Sequence, residues 1–227
     1  TCRLLGREAP LYIYGPKGIK DAITLLLKLA NSWTNYPLHF HELTEKSSVC
    51  LLSEDEIEVH TIPLKHRVYT NGFLFRETPK DRKINAEAVE EYQIDQSQMR
   101  NLKEGKDVVN TQGKTIANQE LTYDPRPPKS YAFCSDTAYH PEMIDQIEQV
   151  DVLYHEATFL NDHQELAQKT FHSTAQQAAQ IAKDAHVKHL ILGHYSSRYK
   201  DLTQFQSEAA EIFPHVDLAY DGYSLEF

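Results

Sequence analysis

Three apolar runs in the second half of the chain end alike. YAFCS runs into Asp136, DVLY into His155 and Glu156, and VKHLILG into His194. In IPLKHRVY, His66 follows another apolar segment and a proline, and His172 stands at the entrance of the STAQQ segment. Imidazole and carboxylate are the donors a divalent first-row ion takes. Without clustered thiolates they point to a catalytic rather than a structural zinc-like site. An ion held by histidines and a carboxylate with one open position lowers the pKa of bound water to about 7, which supplies hydroxide at neutral pH; two ions bridged by an aspartate do so better. For any one of these residues the plainer reading is structural: a lone strand-end histidine is more often a satisfied core group, and an SDT triplet is as often a helix cap. Their succession is what suggests a site.

Two other stretches compete for attention. In HFHEL, His39 and His41 fall on the same face of a strand and resemble a metal pair, yet the segment is polar, is flanked by turns, and no aspartate-histidine pair follows it. GPKG, residues 15–18, lacks the longer glycine spacing and the Lys-Ser/Thr ending of a phosphate-cradling loop. A turn before a helix accounts for it.

The elements that must position these groups form two blocks. LYIYG reads as a strand closed by Gly15-Pro16, and DAITLLLKLANSW has helical spacing. After PLHFHEL, alternation through VCLLSEDEIEVHTIPLKHRVYTNGFLF suggests strands, with Asn71-Gly72 as a tight turn. From Arg76 to Lys129 the pattern dissolves into polar sequence with one short helix at 85–92, an excursion rather than core. Beyond it β and α alternate: PEMIDQIEQV places Met143, Ile144, Ile147 and Val150 on one helical side, and STAQQAAQIAKDAH opens at Ser173-Thr174 with Gln176 and Gln177 placed for a capping box. Alternation of this kind implies an α/β layer architecture, whose sites gather at the carboxyl edge of the sheet.

The chain has 227 residues, 41% of them hydrophobic, enough for a real core. No apolar run approaches a membrane span, and the start lacks the regions of a secretory signal, so a cytoplasmic location is expected. Cys2, Cys50 and Cys134 are widely spaced and form no CxxC pair, which indicates neither disulfides nor a thiolate zinc site. The net charge of −10 is uneven: residues 1–75 carry eight basic and eight acidic side chains, 76–130 ten and ten, and 131–227 five and fifteen. The acidic excess of the last part reads as a solvated surface.

The ordered series YGPKGI, PLKHR, FCSDT, DVLYHEATF, FHSTAQQAA, ILGHYSSRY and AYDG strongly resembles the ribonuclease Z family, the tRNA 3′-processing endoribonucleases of the metallo-β-lactamase superfamily. HEATF, HSTA and GHYSSRY together are specific to that branch. The resemblance implies a single metallo-β-lactamase-type αββα sandwich over 1–227 with an inserted substrate-binding arm at 77–129, two zinc ions per complete subunit, a homodimer, and precursor tRNA as substrate. By position it makes His66 a ligand of the first zinc, Asp136 the bridging carboxylate and His194 a ligand of the second. His172 and Glu156 become the pair beside the scissile phosphate, with His172 donating to the leaving oxygen. The products implied are a tRNA with a free 3′-hydroxyl and a 5′-phosphorylated trailer.

Two features depart from the family pattern. The signature H-x-H-x-D-H is not in these 227 residues. The expectation is therefore that the chain is N-terminally incomplete, the motif lying upstream of Thr1, and that the nuclease activity belongs to the parent protein. The arm carries QIDQSQMRNLKEGKDVV where Gly-Pro motifs are usual. Its Arg100, Lys103, Lys106 and Lys114 can contact phosphates, or stand as scattered solvated charges. Arg198 can hold a phosphate near the metals, but the preferred reading has it pin the following loop through a carboxylate. A hydrolase of small phosphodiesters or other esters with no use for the arm, and an inactive fragment without metals, stay open as alternatives.

Overall fold

In the computed structural model, residues 2–54 and 56–227 are described. The chain opens with a β–α–β unit of β1 (Leu11–Pro16), α1 (Ile19–Leu29) and β2 (Leu38–Leu43). The two strands pair in parallel as a sheet of their own. Gly18 caps α1 with φ 94°, so GPKG is the turn its residues suggest. HFHEL, by contrast, is a paired strand. Its two imidazoles interleave with the tyrosines of β1, Tyr12 on His39 at 4.9 Å and Tyr14 on His41 at 4.6 Å between ring centroids.

The next three strands, β3 (Cys50–Glu54), β4 (Ile57–Pro63) and β5 (Asn71–Glu77), form an antiparallel meander. Asn71-Gly72 opens β5 instead of making the expected tight turn. Gly72 lies flat against the carbonyl of Phe133, where a Cβ has no room, so close backbone approach is what the glycine provides.

Residues 77–129 are more ordered than their polarity suggests. They contain β6 (Lys83–Ile84), α2 (Ala86–Glu91), α3 (Met99–Lys103), β7 (Val108–Val109), β8 (Thr115–Ile116), α4 (Asn118–Leu121) and β9 (Thr122–Tyr123). The side chains of Ala88, Ile94, Leu102, Val108, Ile116 and Leu121 form a separate small core. Buried Asn118 ties it together, donating to the carbonyls of Leu102 at 2.8 Å and Lys106 at 3.0 Å and accepting from the Thr122 hydroxyl at 2.7 Å. At the base, the Glu77 carboxylate accepts from the Lys129 amide at 2.9 Å and from Arg126 at 3.0 Å.

The regular block follows: β10 (Ser130–Cys134), a 3-10 turn (Pro141–Gln146), β11 (Val152–Glu156), α5 (Gln164–Thr170), α6 (Ala175–Asp184), β12 (His189–Gly193), α7 (Thr203–Ala210) and β13 (Val216–Leu218). The expected helix over PEMIDQIEQV is only this tighter turn. It still buries Met143 and Ile147, so the apolar spacing serves the core without a full α-helix. Helix α6 begins with the expected capping box, Thr174 and Gln177 bonding reciprocally, and buries Ala175, Ala178, Ala179, Ile181 and Ala182. The small alanines let the helix lie close on the sheet, and burying an isoleucine such as Ile181 contributes roughly 1.5–3 kcal/mol.

The seven-stranded sheet runs β13-β12-β11-β10-β5-β4-β3. Strands β10 to β13 are parallel, and β5 joins them antiparallel to β10. Because β10, β11 and β12 are adjacent and point the same way, Asp136, Glu156 and His194 leave the sheet at one edge. Among the described residues, no helix is long and apolar enough to cross a membrane.

Candidate metal and phosphoryl-transfer site

The carboxyl edge of β10–β12 collects most of the residues singled out in the sequence. Asp136, His172 and His194 each bring one donor atom within 4.8 Å of the others. Asp136 Oδ1 and His194 Nε2 are 3.2 Å apart. His66, from the loop after β4, stands next to them, its ring centroid 5.3 Å from that of His172. The close group thus contains His172 in addition to two of the three expected ligands, with His66 one ring further out.

All three imidazoles are held through Nδ1. That of His66 is 3.0 Å from the carbonyl of Phe171, which can only accept. That of His172 is 2.8 Å from Glu156 Oε1. That of His194 is 2.8 Å from the hydroxyl of Thr158, which in turn donates to Glu156 Oε2 at 2.7 Å. Each ring therefore carries its proton on Nδ1 and keeps the Nε2 lone pair for the site.

Glu156 is the hub. Fully buried at the end of β11, it also accepts from the backbone amides of Thr137 at 2.7 Å, Thr158 at 3.2 Å and Ser173 at 3.1 Å. Burial pushes its carboxyl upward, but the bonds from His172, Thr158 and Ser173 outweigh that and hold it below the ordinary range. The same bond raises His172 against the opposing effect of burial. His155, the neighbouring residue, plays no part: it is wholly buried, burial lowers its pKa, and its Nδ1 bonds the Glu156 carbonyl at 2.7 Å.

Thr158 and Thr137 were not singled out in the sequence, although both lie inside quoted motifs, HEATF and SDT. Thr137 Oγ1 accepts from the Lys65 amide at 3.1 Å and so fixes the loop that carries His66. A second signal is invisible in the sequence: Asp136, Phe171 and His194 all have left-handed backbones, with φ 57°, 61° and 61°. That region is uncommon for residues other than glycine and clusters at functional sites.

The remaining candidates are not part of the close group, although Arg198 lies one ring away, since Phe159 meets His172 at 6.3 Å between centroids. Arg198 donates to Ser196 Oγ at 3.2 Å and covers the Phe159 ring at 5.1 Å, so an aromatic face and a hydroxyl, not the expected carboxylate, hold it. Arg100 and Lys106 both pair with Glu104, at 2.9 and 2.6 Å, on the exposed face of residues 77–129, with Lys103 beside them. None of these arm residues reaches the histidine cluster. The donor set of the cluster, imidazole nitrogen and carboxylate oxygen in close range with a fixed second layer, fits a zinc-like ion in an open catalytic site.

The fold and this donor set define a metallo-β-lactamase-type domain. The beta-lactamase superfamily domain matches residues 107–195. Two solved structures share the fold. Human tRNase Z, short form, aligns with a TM-score of 0.60 at 20% identity over 95% of this chain and 66% of its own. A metallo-beta-lactamase fold protein from Bacillus subtilis aligns with a TM-score of 0.60 at 16% identity over 98% and 66%. The chain is 42% identical to the ribonuclease Z of Bacteroides thetaiotaomicron, over 98% of this chain and 70% of that protein. It is 40% identical to that of Cytophaga hutchinsonii, over 99% and 72%. The chain belongs to the ribonuclease Z family.

Proposed function

We propose that this chain forms the greater part of a zinc-dependent endoribonuclease that removes the 3′ trailer from precursor tRNA and leaves a 3′-hydroxyl. The observation that carries the reading is the meeting of Asp136, His172 and His194, with His172 anchored on buried Glu156. Asp136, His194 and His66 would hold the metal, which supplies Lewis-acid polarisation of a phosphodiester and activation of water. His172 stands beside them with its Nδ1 proton on Glu156, which orients the ring toward the reacting phosphate. In the reaction a water oxygen gives up a proton to solvent and bonds phosphorus, the bond from phosphorus to O3′ breaks, and His172, whose bond to Glu156 favours its imidazolium form, gives the Nε2 proton to O3′ and is left neutral. Residues 77–129, folded around their own core and clamped at Glu77, serve as the arm that grips the tRNA, with Arg100, Lys103 and Lys106 on its exposed side. Work in the cytoplasm as a homodimer fits the same reading.

The test compares the zinc-loaded parent protein, its Asp136→Ala variant and a deletion of residues 77–129. The expected result is cleavage of precursor tRNA after the discriminator nucleotide, lost in the aspartate variant. Deleting the arm should abolish tRNA cleavage while a small chromogenic phosphodiester is still hydrolysed. Equal activity of the deletion on tRNA, or an active Asp136→Ala, overturns the proposal.

A further inference from the structure

A second cavity shares a wall with the site. It measures about 510 Å³, within the usual size of small-ligand pockets, and His172 stands in its lining. Two aromatic rings face it: Tyr139, half-buried against the core, and Phe171, 37% exposed. Phe171 is the left-handed residue that ends α5, and its ring meets the edge of His66 at 6.3 Å between centroids. Its backbone is therefore fixed by the site while its ring is left open on the cavity side.

Glutamines supply most of the polar lining. Gln168, on α5, makes no side-chain hydrogen bond among the described residues. Gln177 uses its Oε1 on the Thr174 amide at 3.0 Å, which leaves its amide N–H groups for a ligand. Among the described residues no carboxylate lines the cavity, and Lys65 adds a positive charge at its rim. Aromatic faces, carboxamides that both donate and accept, and a cation next to a phosphoryl-transfer centre suit one ligand chemistry. A nucleobase offers a π-face and a donor-acceptor edge, and its 5′-phosphate suits the lysine.

We infer that this cavity is a nucleobase subsite, in which Phe171 stacks on the base and Gln168 and Gln177 hydrogen-bond its edge. The inference rests on the phosphodiesterase reading of the adjoining centre and adds to it a place for a base flanking the scissile bond. The same chemistry is offered by a free mononucleotide and by a base within RNA.

The test reads binding rather than cleavage and needs no metal. The metal-free 227-residue chain is titrated with the four nucleoside 5′-monophosphates, with ribose 5-phosphate, and with a short oligoribonucleotide intact or abasic at single positions. NMR signals of the Gln168 and Gln177 side-chain amides report occupancy. Nucleotides, the oligoribonucleotide or both should shift these signals. Ribose 5-phosphate, or the strand abasic at one position, should bind at least about tenfold more weakly than its intact counterpart. Phe171→Ala should weaken binding by roughly tenfold, the effect of losing one stacked base. Gln168→Ala, at an exposed helical position, does the same without endangering the fold. If only the oligoribonucleotide binds, the occupant is RNA; if mononucleotides compete with it, the pocket takes either. Base-independent binding, no binding by either, or unchanged affinity in both variants overturns the inference. Because no turnover is measured, failure of the zinc-loaded parent protein to cleave tRNA would count against the proposed function alone.

Discussion

Replacing Glu156 by glutamine keeps its volume and removes its charge and one acceptor. The carboxylate accepts five hydrogen bonds, two at Oε1 from Thr137 N and His172 Nδ1, three at Oε2 from Thr158 N, Thr158 Oγ1 and Ser173 N. If the new amide nitrogen sits at Oε1, His172 can move its proton to the other nitrogen, but the Thr137 N–H is left facing a donor. If it sits at Oε2, the Thr158 hydroxyl can turn, but two backbone N–H groups are stranded. Each stranded buried donor costs about 1–3 kcal/mol, and the lost charge-assisted bond to His172 about 1.5–3 more. The cheaper orientation, with one stranded donor, thus destabilises by about 2.5–6 kcal/mol, which brackets the cost of breaking a buried ion pair. Urea unfolding followed by circular dichroism at neutral pH should show the midpoint falling with the slope unchanged. A loss below about 1 kcal/mol would refute the placing of Glu156 as the hub.

The pair also sets a pH dependence. His172 is raised, so its contribution is complete below its ordinary value of 6.5 and fades as pH rises through the folded value; Glu156 is lowered, so its contribution is complete above 4.5 and fades as pH falls through the folded value. Urea midpoints of the wild type and His172→Ala should accordingly differ most between those two pH values and less at alkaline pH, where the neutral ring keeps its Nδ1–H bond to Glu156 but not its charge; a gap that widens with pH contradicts the assignment. Ile181→Ala, emptying a wholly buried position on α6, should cost about 2–5 kcal/mol by the same assay. Gly72→Ala forces a methyl group onto the Phe133 carbonyl between β5 and β10 and should destabilise by about 1–3 kcal/mol, whereas a turn glycine replaced at ordinary φ would gain stability.

The parallel strands and their polar endings were legible because each is a short apolar run stopped by a chemically distinct residue. The capping box of α6 was readable for the same local reason. Asn71-Gly72 misled because a glycine needed for close sheet packing looks like one needed for a turn. The small core of residues 77–129 was hidden by its construction from two- to six-residue elements, too short for a period to show, with Asn118 contributing through hydrogen bonds. At the site, Asp136, Glu156, His172 and His194 stand out in the sequence by type and place, and the fold brings them together. The role of Thr158 does not stand out, because a threonine two residues after a glutamate has no signature until the fold lays its hydroxyl between Glu156 and His194.

The left-handed backbones of Asp136, Phe171 and His194 set what selection must hold in place. Each costs roughly 1–2 kcal/mol relative to a residue free of that clash, and glycine or asparagine would sit there more comfortably. Stability by itself therefore pulls these three positions away from the side chains the site uses. In a lineage released from the need for catalysis, they are where substitutions would accumulate first, while Glu156, whose loss unsettles the fold itself, would persist. A decayed copy of this protein should keep its buried carboxylate long after it has lost Asp136 and His194.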